Sequence, residues 1–418
     1  MHSHGAQAHD TAPEAGSAAA LARRRLRRLL AAVLVPLMVL TAVALVVLLP
    51  RGAEVDRFPA GLGPQTDLVR AELLTREVVP CPERTPADGQ DELVPVVPPS
   101  DDIPGVGQTE CIAATVRLLS GPDEGDSFVL DSLSTPVTPF PETGRVLLSY
   151  EPTAAPGEQY AFADVERRRP LLLLAALFAV AVVALGRWTG LRALFGLGLS
   201  LLVLTTFVLP ALLAGSNALL VALVGSAAVM FVVLYLAHGV RVQTSIAVLG
   251  TLASLLLTVV LAEVFVRASA LTGLGSDETS LISATVGTVD LRGLLLAGIV
   301  IGSLGVLDDV TVTQSSAVWE LHLANPAASA RDLYRSGIRI GRDHIASTVN
   351  TLVLAYVGAS LPLLVVYSLA GSSVQDVLTS EVVAQEVVRT LVGSIGLVAA
   401  VPLTTALAAL TVRVDRVR

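Results

Sequence analysis

The sequence predicts an α-helical polytopic membrane protein of about eight transmembrane helices, with a small β-rich extracytoplasmic domain between the first and the second. Three observations predict it. The 418 residues are 53% apolar and only 15% charged, against roughly 25% charge in soluble domains. The apolar residues come in blocks of bilayer length, and the mean hydropathy is +0.70. One long hydrophilic segment, rich in Pro and acids, separates the first block from the rest. This composition excludes an ordinary soluble enzyme, a disordered chain and a nucleic-acid binder. All 28 basic residues are Arg, a bias we read as that of a GC-rich bacterial genome.

Residues 1–28 read as a disordered cytoplasmic tail that ends in the cluster Arg23-Arg24-Arg25-Leu26-Arg27-Arg28. The apolar run 29–49 follows, and its 21 residues span about 30 Å as a helix. A signal peptide is the competing reading, with Ala42-Val43-Ala44 as its cleavage site. The run continues through Leu45 to Leu49, longer than such a segment needs, so an uncleaved anchor is expected. His2, His4, His9 and Asp10 are metal-ligand types, yet they name no closed ligand set, and no metal is assigned.

Residues 51–169 hold 15 of the 23 prolines and carry 10 Arg against 21 acids, a net charge of −11. Short alternating or β-branched runs at 69–79, 111–120, 127–130 and 145–150 are separated by Gly and Pro turns, which predicts a small β domain in the form of a compact barrel. Cys81 and Cys111 both fall here. A bond between them would close a loop of about 30 residues, contributing roughly 3 kcal/mol outside the cytoplasm.

The membrane domain is expected over 170–412, with apolar spans near 171–186, 193–213, 217–237, 244–263, 288–308, 346–369 and 390–412. With the anchor they make eight. Starting with the N-terminus inside, Arg187, Arg192, Arg241, a loop 310–345 bearing Arg331, Arg335, Arg339 and Arg342, and the tail 413–418 all fall on the cytoplasmic side. Arg is sparse in the short external loops, which fits the positive-inside rule. Both termini are therefore expected in the cytoplasm and the protein in the bacterial plasma membrane. The four loop arginines share an arc of about 80° on a helix and suit anionic lipid headgroups, but plain positive-inside topology is the preferred reading.

Candidate chemistry centres on the sixth span. Only 15 uncharged residues separate Arg292 from Asp308, about 22 Å of helix, too short for a 30 Å core. Asp308 and Asp309 are thus the candidates for an ionisable site at membrane depth; the alternative is that they cap the helix at the interface. Gly298, Gly302 and Gly305 form a small-residue stripe fit for close helix packing. If the helix continues, Asp309, Thr313, Ser316 and Glu320 form one polar stripe. Asp343, Ser347 and Asn350 form a second, with His344 beside it and Asn350 expected to be buried among helices. The two stripes flank one basic loop, an arrangement suited to a cation or proton pathway. Glu263 and Arg267 are expected to pair at i, i+4. No P-loop, G-x-S-x-G or H-E-x-x-H motif is present, so no enzyme and no cofactor is predicted.

Two blocks then carry a resemblance. One is Gly302-Ser303-Leu304-Gly305-Val306-Leu307-Asp308-Asp309-Val310-Thr311 with Gln314 and Trp319-Glu320-Leu321. The other runs from Gly341-Arg342-Asp343-His344 through Ser347 and Asn350 to Pro362. They resemble the YibE/F-like family of bacterial multi-pass membrane proteins, over about residues 110–410. The resemblance implies a multi-pass membrane protein and marks these two blocks as family signatures, without supplying an activity. The expected function is that of a permease-like protein whose pathway is lined by Asp308, Asp309, Glu320, Asp343, His344 and Asn350. The alternative is a membrane scaffold or envelope assembly factor that binds protein partners through the acidic domain and the basic loop. No nucleic acid is expected as a partner; the lipid bilayer is.

Overall fold

A computed structural model describes residues 12–50, 67–80, 110–133, 144–154, 159–275, 279–282, 289–371 and 373–415. They form two compact units, Phe58–Ala181 and the remainder of the chain.

The smaller unit is a five-stranded antiparallel sheet of β1 (Asp67–Pro80), β2 (Glu110–Leu118), β3 (Ser127–Leu133), β4 (Gly144–Tyr150) and β5 (Tyr160–Val165), in the order β3-β2-β1-β4-β5. A fourth strand that returns beside the first is the Greek-key pattern, and β3 and β5 form the two edges of the sheet. Alternation builds its core: Val69, Ala71 and Leu73 meet Ala114, Val116 and Leu118 on one side and Val146 and Leu148 on the other. The β1–β2 register shifts between Leu73 and Thr75, so β1 carries an extra residue there. Such a bulge bends a strand, and β1 is the strand both halves share. Rings draw the edge strands together. Tyr160 on β5 lies 5.0 Å from Phe128 on β3 and 5.0 Å from Tyr150 on β4, and its hydroxyl donates to Asp123 at 2.6 Å. Cys111 opposes Val79 in β2, whereas Cys81 lies outside the described residues.

The larger unit is helical. Helix α1 (Ala12–Leu48) is followed, beyond the sheet, by α2 (Arg168–Val203), whose residues to Ala181 belong to the smaller unit, a π-helical turn Leu204–Val208 and α3 (Leu209–Leu213). Then come α4 (Ala218–His238), α5 (Val242–Ala268), α6 (Leu291–Ala324), α7 (Ala330–Ala359), α8 (Leu361–Leu369), α9 (Val374–Thr379) and α10 (Glu381–Asp415). Six helices among the described residues are long and apolar enough to cross a membrane, or seven if α7 and α8, bent by 57°, make one span. The expectation of eight counted 171–186 and 193–213 separately. By length and apolarity both fall within the one candidate span Arg168–Leu213, but the helix is broken at Arg187 by a positive φ of 49°, so two helical pieces meet there, between the two expected spans. The chain turns so tightly there that a Cβ on Gly190 would strike the Val182 carbonyl.

The expected loop 310–345 is also helix. Residues to Ala324 prolong α6, and α7 starts at Ala330 behind a capping box in which Ser329 and Asp332 satisfy each other's backbone N–H. The connection is 325–329. The core is the trio α5, α6 and α10, whose apolar windows are 61%, 56% and 50% buried. The most apolar stretch within Arg168–Leu213 is 0% buried, an apolar surface suited to lipid or a partner.

Candidate functional site

The faces that α5, α6 and α10 turn toward one another are polar where a membrane bundle would be expected to be dry. Thr244, Thr251 and Thr258 recur at i, i+7 and i+14 on α5, so they share one face. Ser245 and Ser254 are buried with them, as are Thr311, Gln314 and Ser315 on α6 and Thr390, Ser394, Thr404 and Thr405 on α10. Glycines let the helices close on this seam. A Cβ on Gly250 would overlap the Thr404 hydroxyl, and one on Gly396 would overlap that of Thr258.

Hydrogen bonds tie the seam across helices. Thr251 and Thr311 share one of 2.7 Å. Gln314 Nε2 donates to the Gly337 carbonyl of α7 at 2.7 Å and to Thr405 Oγ1 of α10 at 2.8 Å. Both of its amide hydrogens are thus used, and three helices are fixed at one point. Gly337 and Gly341, one turn apart, leave α7 no side chain that would hold it away from Gln314. At the far end Gln243 Nε2 donates to Ser316 at 2.8 Å, and Ser315 donates to the Gln243 carbonyl at 3.0 Å.

Asp308 sits near the middle of α6, beside Thr251, at the edge of this seam. Its Oδ1 is buried and has no hydrogen-bond partner. The side chain lines a cavity of about 350 Å³ between α2, α4 and α6, and is the one ionisable group among the lining residues. Ser226 lines it too, with a buried hydroxyl likewise without a partner. The wall opposite includes Leu204 and Val208, the two ends of the π-helical turn. Such turns widen a helix by one residue and recur at functional sites.

The other expected pathway residues lie elsewhere. Asp309, about 100° round the helix, is exposed and approaches His344 of α7, Oδ2 to Nε2 3.9 Å. Glu320, Asp343 and Asn350 are exposed; Asn350 is not buried among helices. Of the stripe Asp309-Thr313-Ser316-Glu320, Asp309, Thr313 and Glu320 are exposed on the outer face of α6, whereas Ser316 is half-buried and accepts from Gln243 of α5. The inner polar face is Asp308, Thr311, Ser315 and His322, at i, i+3, i+7 and i+14, a pattern visible in the sequence when the count starts from Asp308.

The glycine stripe also differs from expectation. Gly298 gives room to the Arg389 guanidinium and Gly302 to the Tyr356 hydroxyl, while nothing lies within 4 Å of a Cβ on Gly305. Close backbone approach occurs instead at Gly250, Gly337, Gly341 and Gly396. Arg331, Arg335, Arg339 and Arg342 are all exposed, opposite the buried Leu333, Gly337 and Gly341. Glu263 and Arg267 form the expected ion pair. Among the described residues no group of three His, Cys, Asp or Glu is placed to hold a metal ion; the His-rich tail lies outside them.

A family model described as YibE/F-like protein matches residues 174–414, more than half of the chain. The chain belongs to that family. The match takes in every helix of the site, from α2 to α10, whereas the sheet lies outside it. Both signature blocks fall inside, and the structure gives them a physical role in this YibE/F-like protein. The first holds Asp308, Thr311 and Gln314. The second begins at Gly341, where α7 lies against Gln314. No curated protein and no solved structure matches the chain.

Proposed function

We infer that this YibE/F-like protein is permease-like and moves a proton or small cation, with Asp308 as the group that binds it. One observation supports the reading above all. A carboxylate oxygen, buried and without a partner, stands near the middle of a membrane-length helix and lines a 350 Å³ cavity. A carboxyl so placed is costly, and intramembrane carboxyls are kept where they bind or relay charge. The hydroxyls of Thr251, Thr311 and Ser254 extend from it along α5 and α6, and such oxygens suit a proton or a hard cation. The Arg distribution supports a plasma-membrane protein with both termini in the cytoplasm. The reading contains no catalytic step and no cofactor.

The test is flux. Wild type, Asp308→Asn and Asp309→Asn are reconstituted into liposomes loaded with a pH-sensitive dye, and a potassium diffusion potential is imposed. Proton flux is expected in wild type and Asp309→Asn and absent in Asp308→Asn. Flux that is equal in all three, or no higher than in empty liposomes, removes the assignment. A scaffold reading has one observation of its own, the exposed leucines Leu171 to Leu174 and Leu177 at the start of α2. Stable co-purifying partners together with no flux would favour it.

A further inference from the structure

Away from Asp308, two cavities share a wall. The larger, about 820 Å³, opens between α1, α2 and α4 and is apolar along most of its length, with Leu34, Met38, Leu199 and Phe231 as walls and Trp319 among its lining residues. It lies within the range of small-molecule sites. Arg27 and Arg241 are its cations, and Tyr235 and Ser245, hydrogen-bonded to each other at 3.2 Å, supply hydroxyls. The smaller, about 250 Å³, is polar and is lined by Arg192, His238, Arg241, Thr189 and Ser315 among others. Arg241 and Gln243 line both cavities, and no Asp or Glu lines either.

We propose that this pair of cavities is a binding site for an anionic phospholipid. The acyl chain occupies the apolar cavity against Trp319, and the phosphate is held by Arg192 and Arg241. Charge complementarity selects the ligand. Arg192, Arg241 and His238, with no carboxylate among the lining residues, attract an anion, and guanidinium groups suit phosphate. The apolar cavity requires that the anion carry a hydrocarbon tail. A zwitterionic lipid would bring an ammonium to a place that offers it no acceptor charge. The site is separate from Asp308, which lines neither cavity, so it stands or falls apart from the permease reading.

The full chain allows a local readout because it has two tryptophans, Trp188 and Trp319. Trp188→Phe leaves Trp319, which is 2% exposed, as the reporter. This protein is placed in nanodiscs containing phosphatidylglycerol or phosphatidylcholine, each brominated on the acyl chain. Phosphatidylglycerol is expected to quench Trp319 saturably and at lower mole fraction. Arg192→Gln and Arg241→Gln, at exposed positions that leave the fold intact, should each weaken that preference about fivefold. Ala31→Phe, which narrows the apolar cavity, should weaken quenching by both lipids. Equal quenching by the two lipids overturns the proposal, as does a preference that survives both Arg variants. A preference lost instead in Arg331→Gln and Arg335→Gln, on the outer face of α7, also overturns it. Inorganic phosphate should not relieve quenching; if it does, the site takes phosphate alone and the lipid assignment fails.

Discussion

Thr251 on α5 and Thr311 on α6 meet hydroxyl to hydroxyl at 2.7 Å, one turn along the helix from Asp308. Each also reaches a carbonyl of its own helix, Thr251 to Ala247 at 3.1 Å and Thr311 to Asp308 at 3.2 Å. A hydroxyl has one proton and two acceptor positions, so the pair can donate in either direction. That freedom is what a relay beside a carboxyl requires, and a fixed amide network would not supply it.

Thr251→Val tests that relation. The swap keeps the shape and removes the hydroxyl beside Asp308. Proton flux in liposomes should fall severalfold, while Thr251→Ser retains it. The cost in stability should be only about 0.6 kcal/mol, the mean for hydrogen bonds between membrane helices. Unaltered flux in Thr251→Val would assign the pair to packing alone.

Gln314→Leu should cost more. The amide satisfies the Gly337 carbonyl and Thr405 together, and leucine leaves both without a donor at a buried junction of three helices. A loss of about 1–3 kcal/mol is expected, read as a lower melting temperature in detergent. Gln314→Glu should be at least as damaging, because a carboxylate cannot donate to either acceptor.

Glycines that look alike in the sequence should separate on substitution. Gly250→Ala places a methyl on Thr404, and over-packing there should cost about 1–3 kcal/mol. Gly305→Ala meets nothing within 4 Å and should be neutral or slightly stabilising, because alanine is the better helix former. Thermal unfolding of the two variants side by side decides it.

These contrasts mark what the sequence made legible. Alternation placed β1 to β4, but β5 was missed because its six residues run straight into Glu166 and three arginines. Composition located the apolar blocks and the gap between 171–186 and 193–213, where the structure breaks at Arg187, though not the positive φ that makes the break. Span length singled out the pair Asp308 and Asp309. It did not say which face of α6 turns inward, because helical spacing fixes angles between residues and not their origin. Both faces are polar, and only the packing of α5 and α10 distinguishes Asp308-Thr311-Ser315 from the exposed Asp309-Thr313-Glu320. Gln314 was visible as part of a motif, but its junction joins residues 23 and 91 positions apart, beyond the reach of local pattern.

The sheet carries its own prediction. Partial burial, and then the Asp123 carboxylate to which it donates, push the Tyr160 phenol above the usual tyrosine range. Ionising it would place a second negative charge beside Asp123 and break the 2.6 Å hydrogen bond. Because the folded value is raised, this contribution to stability is fully present below the unfolded tyrosine pKa, near 10, and is lost as pH rises from there toward the folded value. In an alkaline absorbance titration, the difference between wild type and Tyr160→Phe should show a phenolate forming later than the bulk of the six tyrosines. In Asp123→Asn that phenolate should form earlier, since the acceptor charge is gone while the ring contacts with Phe128 and Tyr150 remain. A Tyr160 titration unaffected by Asp123→Asn would leave burial alone as the cause.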